Sequence, residues 1–250
     1  MQKKQILLNG KILTYYENLE WKKDWVLVFL HWWMQDGKSF EGIFTILEEN
    51  NIPYISLDLP GFGSSALCHD AMTIPEYWEV VMKCIHKLWI TNPVLVGHSF
   101  GGKTSIHLAS IHKNIQKIIL ICSAGIQRHM PIHKYFIVKT GKVILSLPGL
   151  RTLWNKVRQG FSSPDFKNAG KMTKIFRNAI AEDYSDKMKI IDCDTLLIWW
   201  STDDQTPVSD ADIIHSHIKK SKLEILEWTH FVHQERVTQV AKLILNFIKK

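Results

Sequence analysis

The sequence has no unbroken apolar run of about 18 residues, the least that crosses a bilayer, so stable membrane insertion is not expected. Its opening stretch, Met1 to Lys11, carries lysines but no apolar segment and no small-residue cleavage site, so no secretory leader is expected there. Cysteine is scarce. Cys68, Cys84, Cys122 and Cys193 lie far apart without a C-x-x-C pair, the pattern of reduced, mostly buried thiols in a cytoplasmic protein. Internal repeats, low-complexity stretches and nucleic-acid-binding motifs are missing, so no nucleic-acid partner is expected. Glycine is also short, at 13 of 250 residues, or about 5% against a usual ~7%, while tryptophan is abundant at 10.

What is present is the material of one large globular domain. Hydrophobic residues make up 46% of the chain and charged residues 22%, which argues against disorder. The net charge of +7 is concentrated between residues 126 and 185, where eleven Lys/Arg meet three acidic residues. A solvated helical surface explains such a segment without invoking an anionic partner. Asn9-Gly10 marks a hairpin. Val26 to His31, Ile52 to Leu59, Pro93 to Ser99, Ile115 to Ser123, Thr195 to Trp199 and Leu223 to Glu227 read as buried strands. Helical patterns over Phe40 to Asn50, Thr73 to Leu88, Phe100 to Ile111 and Val237 to Ile248 alternate with them, Thr73 serving as a cap. Such alternation predicts an α/β fold with a mostly parallel central sheet and helices on both faces. Residues 126–185 break the rhythm and read as an inserted helical segment over one end of the sheet.

Gly97-His98-Ser99-Phe100-Gly101 is a G-x-S-x-G motif between an apolar strand and a helix, the context in which this pattern presents a nucleophilic serine. Ser99 is predicted at the carboxyl edge of the sheet, where open α/β folds bind ligands, and the Phe100 N–H lies at a helix N-terminus suited to an oxyanion. Together with Leu30 to Trp33, Asp58 to Ser65, Val96 to Gly102, Asp203 to Pro207 and His230 to Arg236, in that order, the motif makes the chain resemble the α/β-hydrolase superfamily, in the group with a helical cap. The resemblance implies an α/β-hydrolase core at 1–125 and 186–250 and a cap at 126–185. It also implies a catalytic triad of Ser99, Asp203 and His230, with Trp33 and Phe100 as backbone oxyanion donors. Asp204 and His233 are the competing acid and base. By resemblance the acid stands four residues before Pro207 and the base opens H-F-x-x-x-E, which favours Asp203 and His230. Phe136, Leu153 and Trp154 are candidate substrate-binding residues of the cap, whose other apolar residues include Ile137, Leu147 and Phe161. No cofactor is implied. The His129/His133, His215/His217 and His230/His233 pairs lack a carboxylate or cysteine at ligand spacing, so no metal is expected either.

The expected activity is hydrolysis of a carboxylic ester of a small, largely apolar substrate through an acyl-enzyme. A carbon–carbon bond hydrolase with the same triad is one alternative, and a catalytically silent binding protein on the same fold is another. Composition and pattern leave acyl length and oligomeric state open. Trp32, Trp89, Trp200 and Trp228 stand where the resemblance, or a helix end, calls for glycine, because a positive φ or a close approach excludes a Cβ. Restoring glycine at all four would bring it to about 7% of the chain, the usual level. Either the site has been remodelled around tryptophan, or these positions are glycine in the living protein.

Overall fold

A computed structural model describes residues 1–19, 24–127, 164–227 and 236–249. Strands β1 (Gln2–Leu8) and β2 (Lys11–Glu17) form the expected hairpin. Asn9 and Gly10 both take positive φ, 50° and 75°, the conformation that matches a two-residue turn to the twist of its strands. The remaining strands are β3 (Leu27–Leu30), β4 (Tyr54–Leu57), β5 (Val94–His98), β6 (Lys117–Ile121), β7 (Asp194–Trp200) and β8 (Ser221–Leu226). Among the described residues they form one eight-stranded sheet in the order β1-β2-β4-β3-β5-β6-β7-β8. The pairs β1–β2 and β2–β4 are antiparallel, and all the others are parallel. β3, β4, β5 and β6 are buried along their whole length, as strands covered by helices on both faces must be.

Helix α1 (Glu41–Glu49) follows a 3-10 turn at Gly37–Phe40 and buries Ile43, Phe44 and Leu47 on one face. α2 (Ile74–Lys87) begins where the Thr73 N–H donates to the Glu76 carboxylate at 2.8 Å, which satisfies a backbone donor left over at the helix start. α3 (Phe100–Ile111) is buried from Phe100 to Ser110 and runs directly behind the sheet. Part of the expected insertion is described: α4 (Pro164–Asn168), a 3-10 turn at Gly170–Met172 and α5 (Thr173–Ala181), with α6 (Ser185–Lys189) following. The chain then passes through β7, α7 (Val208–His217), β8 and α8 (Val237–Ile248).

α3 and α8 begin and end at the residues the sequence pattern predicts, and the strands differ from expectation by one or two residues at their ends. α7 was not predicted. It buries Asp210, Ala211 and Ile214, a mixed set that leaves no apolar stripe to read. Cys84, Cys122 and Cys193 are buried, Cys68 is half-buried, and all four are free thiols. Among the described residues no helix is long and apolar enough to cross a membrane.

Candidate active site

Ser99 sits between the last residue of β5 and the first of α3, with φ 49° and ψ −106°. Such a backbone is costly and persists only where its surroundings hold it. Three hydrogen bonds do so. The Ser99 N–H donates to the Ile121 carbonyl at the end of β6, and the Ser99 carbonyl accepts from Ala124 and Lys103, all at 3.0–3.1 Å. Gly101 lets α3 press against the end of β3: a Cβ there would lie 2.0 Å from the Leu30 carbonyl oxygen. The serine is left half-buried at the carboxyl edge of the sheet, with the Phe100 amide in the first turn of a twelve-residue helix whose N-terminal dipole favours negative charge.

The loop after β3 is anchored by His31, which is fully buried. Its Nε2 accepts the Leu59 N–H at 3.0 Å, so the ring proton is on Nδ1, which donates to the Trp32 carbonyl at 2.7 Å. That carbonyl belongs to the same peptide unit as the Trp33 N–H, so the histidine fixes the direction of the expected oxyanion donor. Burial pulls the His31 pKa down to about 4, against the opposing pull of the bond to Trp32, and the ring stays neutral. The Trp33 indole packs 5.0–5.5 Å from the rings of Phe62, Phe100 and Phe176.

After β7 the chain turns at Asp203 and Asp204. Asp203 is buried, its Oδ1 accepting the Gln205 and Thr206 N–H groups at 2.8 Å and its Oδ2 the Thr206 hydroxyl at 2.9 Å. Trp199 clamps the same turn, its indole N–H donating to the Thr206 carbonyl at 2.6 Å. Asp204 is exposed. The neighbouring Cys122 thiol is pushed well above its ordinary pKa, first by burial and then by the Asp203 carboxylate, so it stays a thiol.

A cavity of about 590 Å³ joins these parts. Trp33, Phe100, Ile126, Phe176 and Ile180 supply the apolar part of its wall beside Ser99, and Asp165, Asp204 and Asp210 border it too, while Asp203 sits behind the turn, outside the lining. Lys103, one turn along α3 from the serine, also borders it, a residue that sequence reasoning missed. Its buried ammonium donates to the carbonyls of Ala179 and Glu182 at the end of α5 and lies 4.9 Å from the Tyr184 ring. Burial lowers its pKa to about 8, opposed by Glu182 and Asp183. A lysine as the one formally charged residue of α3 was the available signal.

The structure thus brings Ser99, Trp33, Phe100 and the Asp203 turn to one edge of the sheet. His230, His233 and Trp228, and the expected cap residues Phe136, Leu153 and Trp154, lie outside the described residues. The described part of the insertion adds Phe176 and Ile180 of α5 to the cavity wall, residues not singled out from sequence. His98 is fully buried, its ring 4.5 Å from that of Trp32. His215 and His217 hydrogen-bond to Ser221 and to the Ile213 carbonyl. Among the described residues no cluster of three metal-ligating side chains occurs.

The alpha/beta hydrolase fold family matches residues 26–232, and the chain belongs to it. It is 27% identical over 262 residues to an uncharacterized hydrolase, YugF, of Bacillus subtilis, covering 94% of each chain. Against the monoacylglycerol lipase ABHD6 of Mus musculus it is 25% identical over 228 residues, 79% of this chain and 68% of the relative. An esterase structure from Exiguobacterium antarcticum superposes with a TM-score of 0.77 over the whole of both chains at 20% identity, a likeness of fold.

Proposed function

We propose that the protein is a serine hydrolase that cleaves a carboxylic ester of a small, largely apolar substrate through an acyl-enzyme. The observation that carries this reading is Ser99, held in a strained backbone at the sheet edge, opening on a cavity with Trp33, Phe100, Phe176 and Ile180 in its wall and followed at once by a helix N-terminus. Ser99 Oγ attacks the ester carbonyl carbon. His230 takes the serine proton and returns it to the leaving alkoxide as the carbon–oxygen bond breaks. Asp203, rigidly hydrogen-bonded in its turn, orients the imidazole and stabilises its charged form. The Trp33 and Phe100 N–H groups bind the oxyanion. Water, deprotonated by His230, then releases the acid and frees the serine. The named activities of the lipase and esterase relatives support an ester as the bond cleaved.

Residues 126–185 act as a cap in this reading, supported by the α5 side chains in the cavity wall. Four free cysteines support a reducing, cytoplasmic setting. The experiment is turnover of a panel of p-nitrophenyl esters, with fluorophosphonate labelling, on the parent and on Ser99→Ala. The expected result is a labelled parent, no label on the variant, and a loss of turnover of roughly three powers of ten or more. Parental turnover by Ser99→Ala refutes the mechanism.

A further inference from the structure

Seven of the ten tryptophans lie on described residues, and their environments fall into two kinds. Trp32, Trp33, Trp78, Trp199 and Trp200 are buried or half-buried. Trp25 and Trp89 are 44% and 78% exposed, and both take positive φ, 55° and 59°. Tryptophan loses on both counts there: its ring gains little from burial, and its Cβ crowds the backbone.

Trp89 shows the cause. It follows Leu88, the C-cap of α2. The Ile90 N–H donates back to the Ile85 carbonyl at 3.0 Å, and the Trp89 N–H to the His86 carbonyl at 3.0 Å. This nested pair is the helix ending that requires a left-handed residue between its bonds, a place glycine fills because it has no Cβ. The turn also matters beyond α2, since it aims the chain into β5, the strand that delivers Ser99. The other non-glycine residues with positive φ have reasons of their own. Asn9 and Asn51 are asparagines, which tolerate it. Met34, Ser99 and Cys122 stand at the carboxyl edge of the sheet, around the nucleophile, where strain serves a site. Trp25 precedes β3 and Trp89 precedes β5, at the opposite edge, where no catalytic demand reaches.

We propose that positions 89 and 25 are glycine in the native polypeptide, specified by UGA in a gene whose code reads that codon as glycine, while the sequence as written reads it as tryptophan. One reassigned codon explains the excess of tryptophan and the shortage of glycine together. Of the other positions where the sequence calls for glycine, Trp228 lies outside the described residues. At 32 and 200 the backbone does not itself demand glycine: neither has positive φ, and both indoles are buried. Trp199 and Trp33 are true tryptophans by the same physics, the first through its indole hydrogen bond to Thr206 and the second through its three ring contacts.

The codons of the gene decide the matter without any assay of activity. UGA at 89 and 25, with UGG at 33 and 199, is the expected result, and UGG at 89 overturns the proposal. At the protein level, Trp89→Gly in the chain as written is expected to raise Tm by about 3 °C or more, and Trp89→Ala by less, because glycine alone relieves the positive φ. A fall in Tm for Trp89→Gly also overturns the proposal, and would make the exposed indole a real feature of the surface. If the chain as written does not fold, folding of the Trp25→Gly/Trp89→Gly double variant is the expected rescue, and its failure counts against the proposal. These readouts are separate from the esterase reading, which stands or falls on Ser99→Ala.

Discussion

Replacing Gly101 by alanine adds one methyl group, and the structure says where it goes. The new Cβ would lie 2.0 Å from the Leu30 carbonyl oxygen, 2.4 Å from the Leu30 carbonyl carbon and 2.8 Å from the His31 carbonyl oxygen. All three are backbone atoms at the end of β3, so no side-chain rotation relieves the clash. Ordinary contact begins at 3.4 Å, so α3 and β3 must separate by about 1.4 Å along the shortest of these contacts. Overpacking of this sort costs about 3 kcal/mol, the upper end of its usual range, because the colliding groups are main chain. For a chain of this length that is a fall in Tm of roughly 6–12 °C. The functional cost is separate. α3 carries the Phe100 amide and begins beside Ser99, while β3 leads into the His31–Trp33 loop, so the separation pulls the two proposed oxyanion donors apart. A misplacement of about 1 Å costs on the order of 100-fold in rate. Thermal unfolding by circular dichroism and ester turnover per folded molecule, measured on the same preparations, give the two effects independently. Gly101→Ala with parental Tm and parental turnover refutes the close approach of α3 and β3 and everything built on it. A fall in Tm with unchanged turnover refutes the coupling of this contact to the oxyanion site.

Asp203→Asn and His230→Ala are each expected to lower kcat by roughly 10³-fold or more, while Asp204→Asn and His233→Ala stay within about 10-fold. Asp203 is buried among three donors and Asp204 is exposed; a reversal of severity between the two aspartates would show that the acid has been misassigned. Stability is expected to fall as pH drops from 7 to 5. His31 and His107 are both held near pKa 4 by burial, against an ordinary value of 6.5, so below about pH 6.5 the unfolded chain takes up protons that the folded chain refuses until about pH 4. His31 alone accounts for about 2 kcal/mol between pH 7 and 5. A urea midpoint that does not move over that interval contradicts the neutral, buried state of these rings.

The parts of the fold that repeat a simple period were legible in the chain itself. β3, β4, β5 and β6 are short apolar runs because both sheet faces are covered, and the order in which they alternate with helices leaves few topologies open. The elbow was legible for a different reason. A serine flanked by glycines between strand and helix is a local solution to a local problem, set by backbone sterics within a few residues. α7 stayed hidden because helices are read from their apolar stripe, and its buried face contains Asp210. The cavity wall stayed hidden too. Phe176 and Ile180 meet Trp33 and Phe100 only because α5 folds back over the sheet edge, with the Lys103 ammonium holding the end of that helix. Sequence offered two adjacent aspartates, and only the family resemblance ranked them, by their distance from Pro207. Burial, three hydrogen bonds to Asp203 and the clamp from Trp199 are relations across the turn and between strands, which the tertiary structure alone supplies. For tryptophan the division is sharpest. Composition could count ten indoles and thirteen glycines, but only the folded backbone, with positive φ at positions 25 and 89, says which indoles stand where a Cβ does not belong.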